Sequence, residues 1–326
     1  MKLLIAMGGN ALTHEDQDGT YEQLCENALA AARRIVALRT EGGHEVLITH
    51  GNGPQIGAGA LQHLAAEPTV PAMPMHVLGA MAQGEIGYLL QQAIGWVDPG
   101  IRTATILTRV VVRADDPEFS APTKPIGPFY SPEEARRLAA ERGWTVGADA
   151  GRGWRRMVPS PRPHEIIEIA AVRALAEWGV MVIAAGGGGI PVARSSGPGE
   201  GALNGVEAVV DKDRCAALLA AEVGVDMLVL LTHVPRVAID FGTPRQRDVA
   251  RLVVSDARRH LDEGHFPTGS MGPKMESAIE FVENSGHAAV IASPEHLGEA
   301  VAGRQGSWIV ADTDGPSRLL EPAGVA

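Results

Sequence analysis

Three short, continuous apolar runs in this chain end in glycine: LLIAMGGNA at 3–11, EVLITHGNGP at 45–54 and VMVIAAGGGGIP at 180–191. Each is followed, after an interval, by a stretch with helical spacing. Such runs predict strands buried on both faces of a parallel sheet, with the helical stretches as crossover connections. In YEQLCENALAAARRIVALRT at 21–40, Leu24, Ala28, Ala31 and Ile35 form one apolar stripe with charges opposite, and the glycines at 42 and 43 supply a stop. A second helix is predicted over 131–142, where Ser131 is the N-cap, Pro132 the first helical residue, Glu133 and Glu134 the first-turn acids, and Gly143 the stop. Further strands are predicted at 102–113, 226–232 and 287–292.

Between about 114 and 163 the pattern gives way to Pro, Gly, Trp and charge. Irregular stretches of that length in compact domains are functional or disordered, and Phe119, Phe129, Tyr130, Trp144 and Trp154 favour order. The segment is read as an excursion from the sheet, a small lid with short strands that carries Lys124.

Composition narrows the function classes. A chain of 326 residues with 45% hydrophobic content can bury one large α/β core or two small ones. Its net charge of -11 provides no basic field to displace counterions from DNA or RNA, so nucleic acid is not an expected partner. Cys25 and Cys215 lie far apart and form no CxxC pair, which fits reduced, buried thiols in a cytosolic protein. The apolar start stops at Gly8, and no run approaches the roughly 20 apolar residues of a spanning helix. A soluble cytoplasmic protein with no membrane partner is expected.

Candidate chemistry lies in the lysines. Only four of the 28 basic side chains are lysine, and Lys124, Lys212 and Lys274 fall in Gly/Pro-rich or acidic contexts that read as loops at strand ends. A compact ammonium on a flexible stem suits a mobile point charge where a planar guanidinium would not. Lys2 reads as a solvated terminus. Glycine clusters at the carboxyl ends of parallel strands let backbone N–H groups approach an anion, and phosphate is the natural guest. The chain has no GxxxxGK[ST] and no GxGxxG after a strand, so it holds phosphate some other way. Phosphoryl transfer consists mostly of positioning and charge neutralisation, and Asp211 and Asp213, flanking Lys212, can hold ammonium groups in place for it. His260 and His265, with no third ligand at fitting spacing, read as solvated, and GRGWRR at 151–156 reads as surface or subunit contact as readily as anion contact. Neither GxSxG nor HExxH occurs.

Together GGNAL at 8–12, THGNGPQ at 49–55, VLGAMAQGEIGYLL at 77–90, PTKPIGPFY at 122–130, GRGWRRMVPSP at 151–161, AAGGGGIPV at 184–192, DKD at 211–213 and GSMGPK at 269–274 resemble the carbamate kinases of the amino acid kinase superfamily. The resemblance runs end to end. It implies an open αβα sandwich on a mainly parallel sheet of about eight strands, a protruding lid at about 114–163, a carbamate half over 1–160, a nucleotide half over 164–326, and a homodimer. The implied reaction is ATP + carbamate = ADP + carbamoyl phosphate with Mg²⁺, used for ATP synthesis in nitrogen catabolism such as arginine breakdown.

Carried onto this sequence, the resemblance assigns Lys124, Lys212, Lys274, Asp213 and Asp211 to catalysis. It assigns Gly8, Gly9, Asn10, Gly51, Asn52, Gly53 and Gly186, Gly187, Gly188 and Gly189 to the carbamate and phosphoryl pocket. Lys212, Thr232, Met271 and Lys274 fall to the nucleotide. Related kinases often carry Lys two residues before the first glycine pair. Ala6 stands there, and Lys124 is expected to supply the charge. Two departures bear on nucleotide affinity: His233, where the family has a small or acidic residue, and Ala238, where it has an aromatic. Another small carboxylate or phosphonate acceptor, or a non-catalytic nucleotide sensor, remains an alternative on the same fold.

Overall fold

The structure is a computed structural model that describes residues 1–326 except 9–11, 14–16, 68, 149–152, 196–200, 268–270 and 321–326. Gly9, Asn10 and Arg152 lie outside the described residues. In chain order the strands are β1 (Lys2–Met7), β2 (Glu45–His50), β3 (Thr103–Thr105), β4 (Arg109–Val112), β5 (Lys124–Tyr130), β6 (Thr145–Ala148), β7 (Trp154–Val158), β8 (Pro163–Ile166), β9 (Met181–Ile183), β10 (Ile190–Arg194), β11 (Leu203–Gly205), β12 (Met227–Leu231), β13 (Ala238–Ile239), β14 (Arg247–Val253), β15 (Ala288–Ala292), β16 (Ser307–Val310) and β17 (Arg318–Leu319). The helices are α1 (Tyr21–Thr40), α2 (Gly53–Ala66), α3 (Met75–Val97), α4 (Pro132–Arg142), α5 (Ile169–Glu177), α6 (Lys212–Val223), α7 (Val254–Asp262), α8 (Met271–Ser285) and α9 (Leu297–Val301).

The main sheet runs β13-β14-β16-β15-β12-β1-β2-β9-β3, with β17 paired to β14. The stretch from β14 to β3 is the expected mainly parallel sheet of about eight strands, and β13 and β17 add antiparallel pieces to β14. Strand alternation explains the layers. Leu4, Ala6, Leu228 and Leu230 face a core completed by Cys215 and Leu219 of α6 and Ile279 and Phe281 of α8. Leu3, Ile5, Met7 and Val229 face one completed by Ala28 and Ile35 of α1 and Ile86 and Leu90 of α3. Both faces are covered, which is why these strands read as unbroken apolar runs.

The α1 helix begins at a capping box between Thr20 and Gln23, and α4 begins at Ser131 and ends at Gly143 in the left-handed region, φ 66. Residues 102–113 depart from expectation by forming two strands, β3 in the main sheet and β4 in a four-stranded sheet of order β11-β10-β4-β8. The break falls at Thr108, whose N–H donates to Gln83 Oε1 at 2.8 Å instead of to a strand neighbour.

The excursion carries its own antiparallel sheet, order β5-β7-β6, with α4 packed on it. Ile126 and Val158 of that sheet join Ile56, Met75, Leu78, Ala82 and Val209 in a third core that seats it on α2 and α3. Gly57 of α2 makes close approach possible: a Cβ there would meet Gly127 Cα at 3.0 Å. Cys215 is buried as expected, Cys25 is only half-buried, and neither forms a disulfide. Among the described residues no helix is long and apolar enough to cross a membrane.

Candidate active site

The strand order reverses at β1, which pairs in parallel with β2 on one side and β12 on the other. The carboxyl ends at such a switch point are where open α/β sheets bind ligands. A cavity of about 590 Å³ opens there, lined among others by Gly8, Gly51, Asn52, Gly53, Lys124, Gly187, Asp211, Lys212, Asp213, Thr232, His233 and Lys274. All three singled-out lysines converge on it from three elements.

Their local settings differ from the loops expected. Lys124 opens β5, Lys212 is the first residue of α6, and Lys274 sits in the first turn of α8. Asp211 is the N-cap of α6, and its Oδ1 accepts from the N–H groups of Asp213 at 2.9 Å and Arg214 at 3.3 Å. Its Oδ2 accepts from Lys124 Nζ at 2.6 Å, tying the small sheet to the helix. Asp213, 4% exposed, accepts Lys212 Nζ at 2.5 Å on Oδ1 and Lys274 Nζ at 2.8 Å on Oδ2. Arg214 of α6 and Arg162 both pair with Glu276 of α8, so the two helices that carry Lys212 and Lys274 are cross-linked beside the site.

Three ammonium groups thus share two carboxylates. Burial pushes the Asp211 and Asp213 carboxyls up, but the adjacent ammonium groups outweigh it and both lie below the usual carboxylate range. At Lys212 the balance reverses: burial, reinforced by the charge of Lys274, brings its pKa down to about 8 despite Asp213. Burial also acts against Lys274, yet Asp213 prevails and holds its pKa above the ordinary value.

The glycine loop after β9 is shaped by its neighbours. Gly187 lines the cavity at φ 66, and a Cβ there would lie 1.9 Å from Asn52 Nδ2. Gly186, Gly188 and Gly189 lie behind it, against His50, the Val210 carbonyl and Val110 respectively, and are not among the lining residues. Their role in the structure is close packing. Met271 packs on the core beside α6 and is also absent from the lining. Thr232 and His233 line the cavity, whereas Ala238 opens β13 away from it.

Arg155 and Arg156 do not line the cavity either: Arg155 Nε donates to the Gly127 carbonyl at 2.9 Å, and the Arg156 guanidinium lies 4.8 Å from the Trp144 ring centroid. Both stitch the small sheet together. His260, expected to be solvated, is buried at 8% exposure beneath the end of α7.

Sequence reasoning missed the supports of the glycine loop. Gln83, in the interior of α3, donates through Nε2 to the Gly186 carbonyl at 2.9 Å and accepts from Thr108 N–H at 2.8 Å. Thr108 Oγ1 accepts from Ala185 N–H at 2.9 Å, and Ala185 adopts φ 53, unusual for a residue with a Cβ. Gln83 in the largely apolar stretch 77–90 and Thr108 at the end of a run that also holds Thr103 and Thr105 were the available signal. The far end of the cavity, lined by Asn27, Arg34 and Glu295, left no comparable mark in the sequence.

The sequence model of the amino acid kinase family matches residues 1–293. Carbamate kinase from Thermococcus kodakarensis is 47% identical over 319 residues, covering 95% of this chain and 99% of that protein. The chain belongs to the carbamate kinases of the amino acid kinase family. Carbamate kinase from Pyrococcus furiosus is 45% identical over 315 residues, with 95% and 99% covered. Among solved structures, carbamate kinase from Giardia lamblia bound to AMP-PNP superposes with a TM-score of 0.87 at 40% identity, covering 95% of this chain and 98% of that one. Membership of the carbamate kinases therefore places the three-lysine cavity in a phosphotransferase.

Proposed function

We propose that this chain catalyses reversible phosphoryl transfer between ATP and carbamate, giving ADP and carbamoyl phosphate. The observation that carries the reading is the convergence of Lys124, Lys212 and Lys274 on Asp211 and Asp213 in one cavity. In the forward direction a carbamate oxygen forms a bond to the γ-phosphorus as the bond from phosphorus to the bridging β,γ oxygen breaks, and ADP leaves. No proton moves. Carbamate is already an anion, so the task is to relieve repulsion between two anions. Both aspartates are engaged by ammonium groups, and their part is to position those groups rather than to accept a proton.

Lys124 supplies charge above the acceptor, compensating for Ala6, whose side chain is wholly buried in the core. Lys212 and Lys274 neutralise the transferring and terminal phosphates. Gly8, Gly51, Asn52, Gly53 and Gly187 line the acceptor end, Thr232 the nucleotide end, and the segments 1–160 and 164–326 serve as carbamate and nucleotide halves. Asp211 and Asp213 are committed to lysines and do not form a carboxylate cage for a metal. Mg²⁺ is therefore assigned as the nucleotide's own counter-ion, held by phosphates and water, with no step derived through it.

A homodimer fits α3, which leaves Met81, Tyr88 and Trp96 exposed along its length at 53%, 58% and 52%. Use in the cytoplasm for ATP synthesis from carbamoyl phosphate, in nitrogen catabolism such as arginine breakdown, completes the proposal. Acceptor choice is tested by following ADP release from ATP with ammonium bicarbonate, which supplies carbamate, against acetate and aspartate. Release with carbamate alone supports the assignment, and equal release with acetate overturns it.

A further inference from the structure

Outside the cavity, one cluster has the chemistry of a ligand site: His260 at the end of α7, Glu263 in the following turn, and His265 beyond Gly264. It is the one group of three or more metal-ligating side chains found among the described residues, and its ligand atoms all lie within 4.8 Å of one another. Glu263 Oε2 stands between the rings, 3.4 Å from His260 Nδ1 and 3.3 Å from His265 Nε2. Two ligand atoms on one tetrahedral zinc, each bonded at about 2.0–2.1 Å, are separated by about 3.4 Å. The two spacings to Glu263 are those of ligands around a shared ion, and the two histidine nitrogens lie within 4.8 Å of each other. The spacings to Glu263 are longer than good hydrogen bonds between the same groups.

The second observation is at His260. Its side chain is 10% exposed, and its Nδ1 is buried, aimed at Glu263, and has no hydrogen-bond partner. The third observation is behind His265. In this structure the Asp240 N–H donates to His265 Nδ1 at 3.4 Å, so a metal at Nε2 requires the other tautomer, with Nδ1–H turned to Asp240 Oδ1, 3.5 Å away. A carboxylate behind the far nitrogen of a ligating imidazole fixes the tautomer that offers the near nitrogen to a metal. One cation opposes this: Arg259 Nη1 lies 3.9 Å from Glu263 Oε2, although its shorter contact is with Asp256 at 2.7 Å.

We propose that His260 Nδ1, Glu263 and His265 Nε2 form a site for a divalent transition-metal ion of the zinc class, with Asp240 orienting His265 and water completing the coordination. Two imidazoles and one carboxylate form a set that suits zinc and leaves a position for water. Such an ion would staple the end of α7 to the Asp240 loop. Pro267, two residues after His265, accepts from Gly272 N–H at 2.8 Å at the start of the helix that carries Lys274, so the staple lies at the root of that helix.

The test uses the full chain, stripped with chelator, loaded with Zn²⁺ in the presence of excess Mg²⁺ and desalted, with bound metal counted and the melting temperature recorded. About one equivalent retained per chain with a raised Tm is expected, both lost in Glu263→Gln and in His265→Ala, with affinity about 10–100-fold weaker in Asp240→Asn. The first two side chains are partly exposed, so these variants remain informative if His260→Gln fails to fold. No retained zinc, or retention unchanged in both variants, overturns the proposal.

Discussion

Lys274 crosses from α8 to place its Nζ 2.8 Å from Asp213 Oδ2, the oxygen that Lys212 leaves free on the same carboxylate. One buried acid thus spaces two cations at the floor of the cavity. Without it, two ammonium groups would face each other in a desolvated site. With it, both ammonium groups are engaged by one carboxylate at the cavity wall.

Removing a single cation tests whether each does chemical work. Lys124→Ala, Lys212→Ala and Lys274→Ala are each expected to lower kcat on the order of 10²–10³, the scale of losing one charge-stabilising donor. Steady-state kinetics in the ATP-forming direction measure this. Wild-type-like turnover in two of the three would contradict the mechanism.

Asp213→Ala separates positioning from charge balance. It leaves Lys212 and Lys274 buried without their counter-ion, a change that costs about 3–5 kcal/mol. A large fall in the denaturation midpoint together with loss of activity is expected. The double variant Asp213→Ala, Lys274→Met should recover part of the stability and none of the activity.

The low pKa of Lys212, about 8, gives a pH dependence with a definite sign. Above that value the free enzyme loses the proton, and with it the charge that meets phosphate, so kcat/KM should fall on the alkaline side. Bound phosphate favours the charged form and moves the corresponding limb of kcat to higher pH. Profiles of both parameters, with Lys212→Arg for comparison, check this. A kcat/KM that stays flat well above pH 8 removes Lys212 from the chemistry.

Gly187→Ala should be far more costly than a surface change. The new Cβ would collide with Asn52 and the backbone is at φ 66, a conformation worth about 1–3 kcal/mol of strain for a residue with a side chain. Loss of activity with a lowered Tm is expected, and normal kinetics would mean that the loop moves freely.

Much of this was legible in the chain. Strands buried on both faces announce themselves as continuous apolar runs, and the α4 boundaries follow from Ser131, Pro132 and Gly143 because caps act locally. The three lysines stood out because arginine is the default cation here. What local pattern could not supply was long-range partnership. The split at Thr108 depends on Gln83, 25 residues earlier, and the burial of Lys274 depends on Asp213, 61 residues away. Gly186, Gly188 and Gly189 read as ligand contacts, yet steric demand from His50, Val210 and Val110 accounts for them. His260 read as solvated because its burial comes from tertiary packing at the end of α7.

The most direct test of the central claim is ATP formation from Mg²⁺, ADP and carbamoyl phosphate by the purified protein, with acetyl phosphate as a parallel donor. Rapid ATP from carbamoyl phosphate alone, abolished in Lys124→Ala, is the predicted result. Folded protein that binds ADP and forms no ATP from carbamoyl phosphate would contradict it.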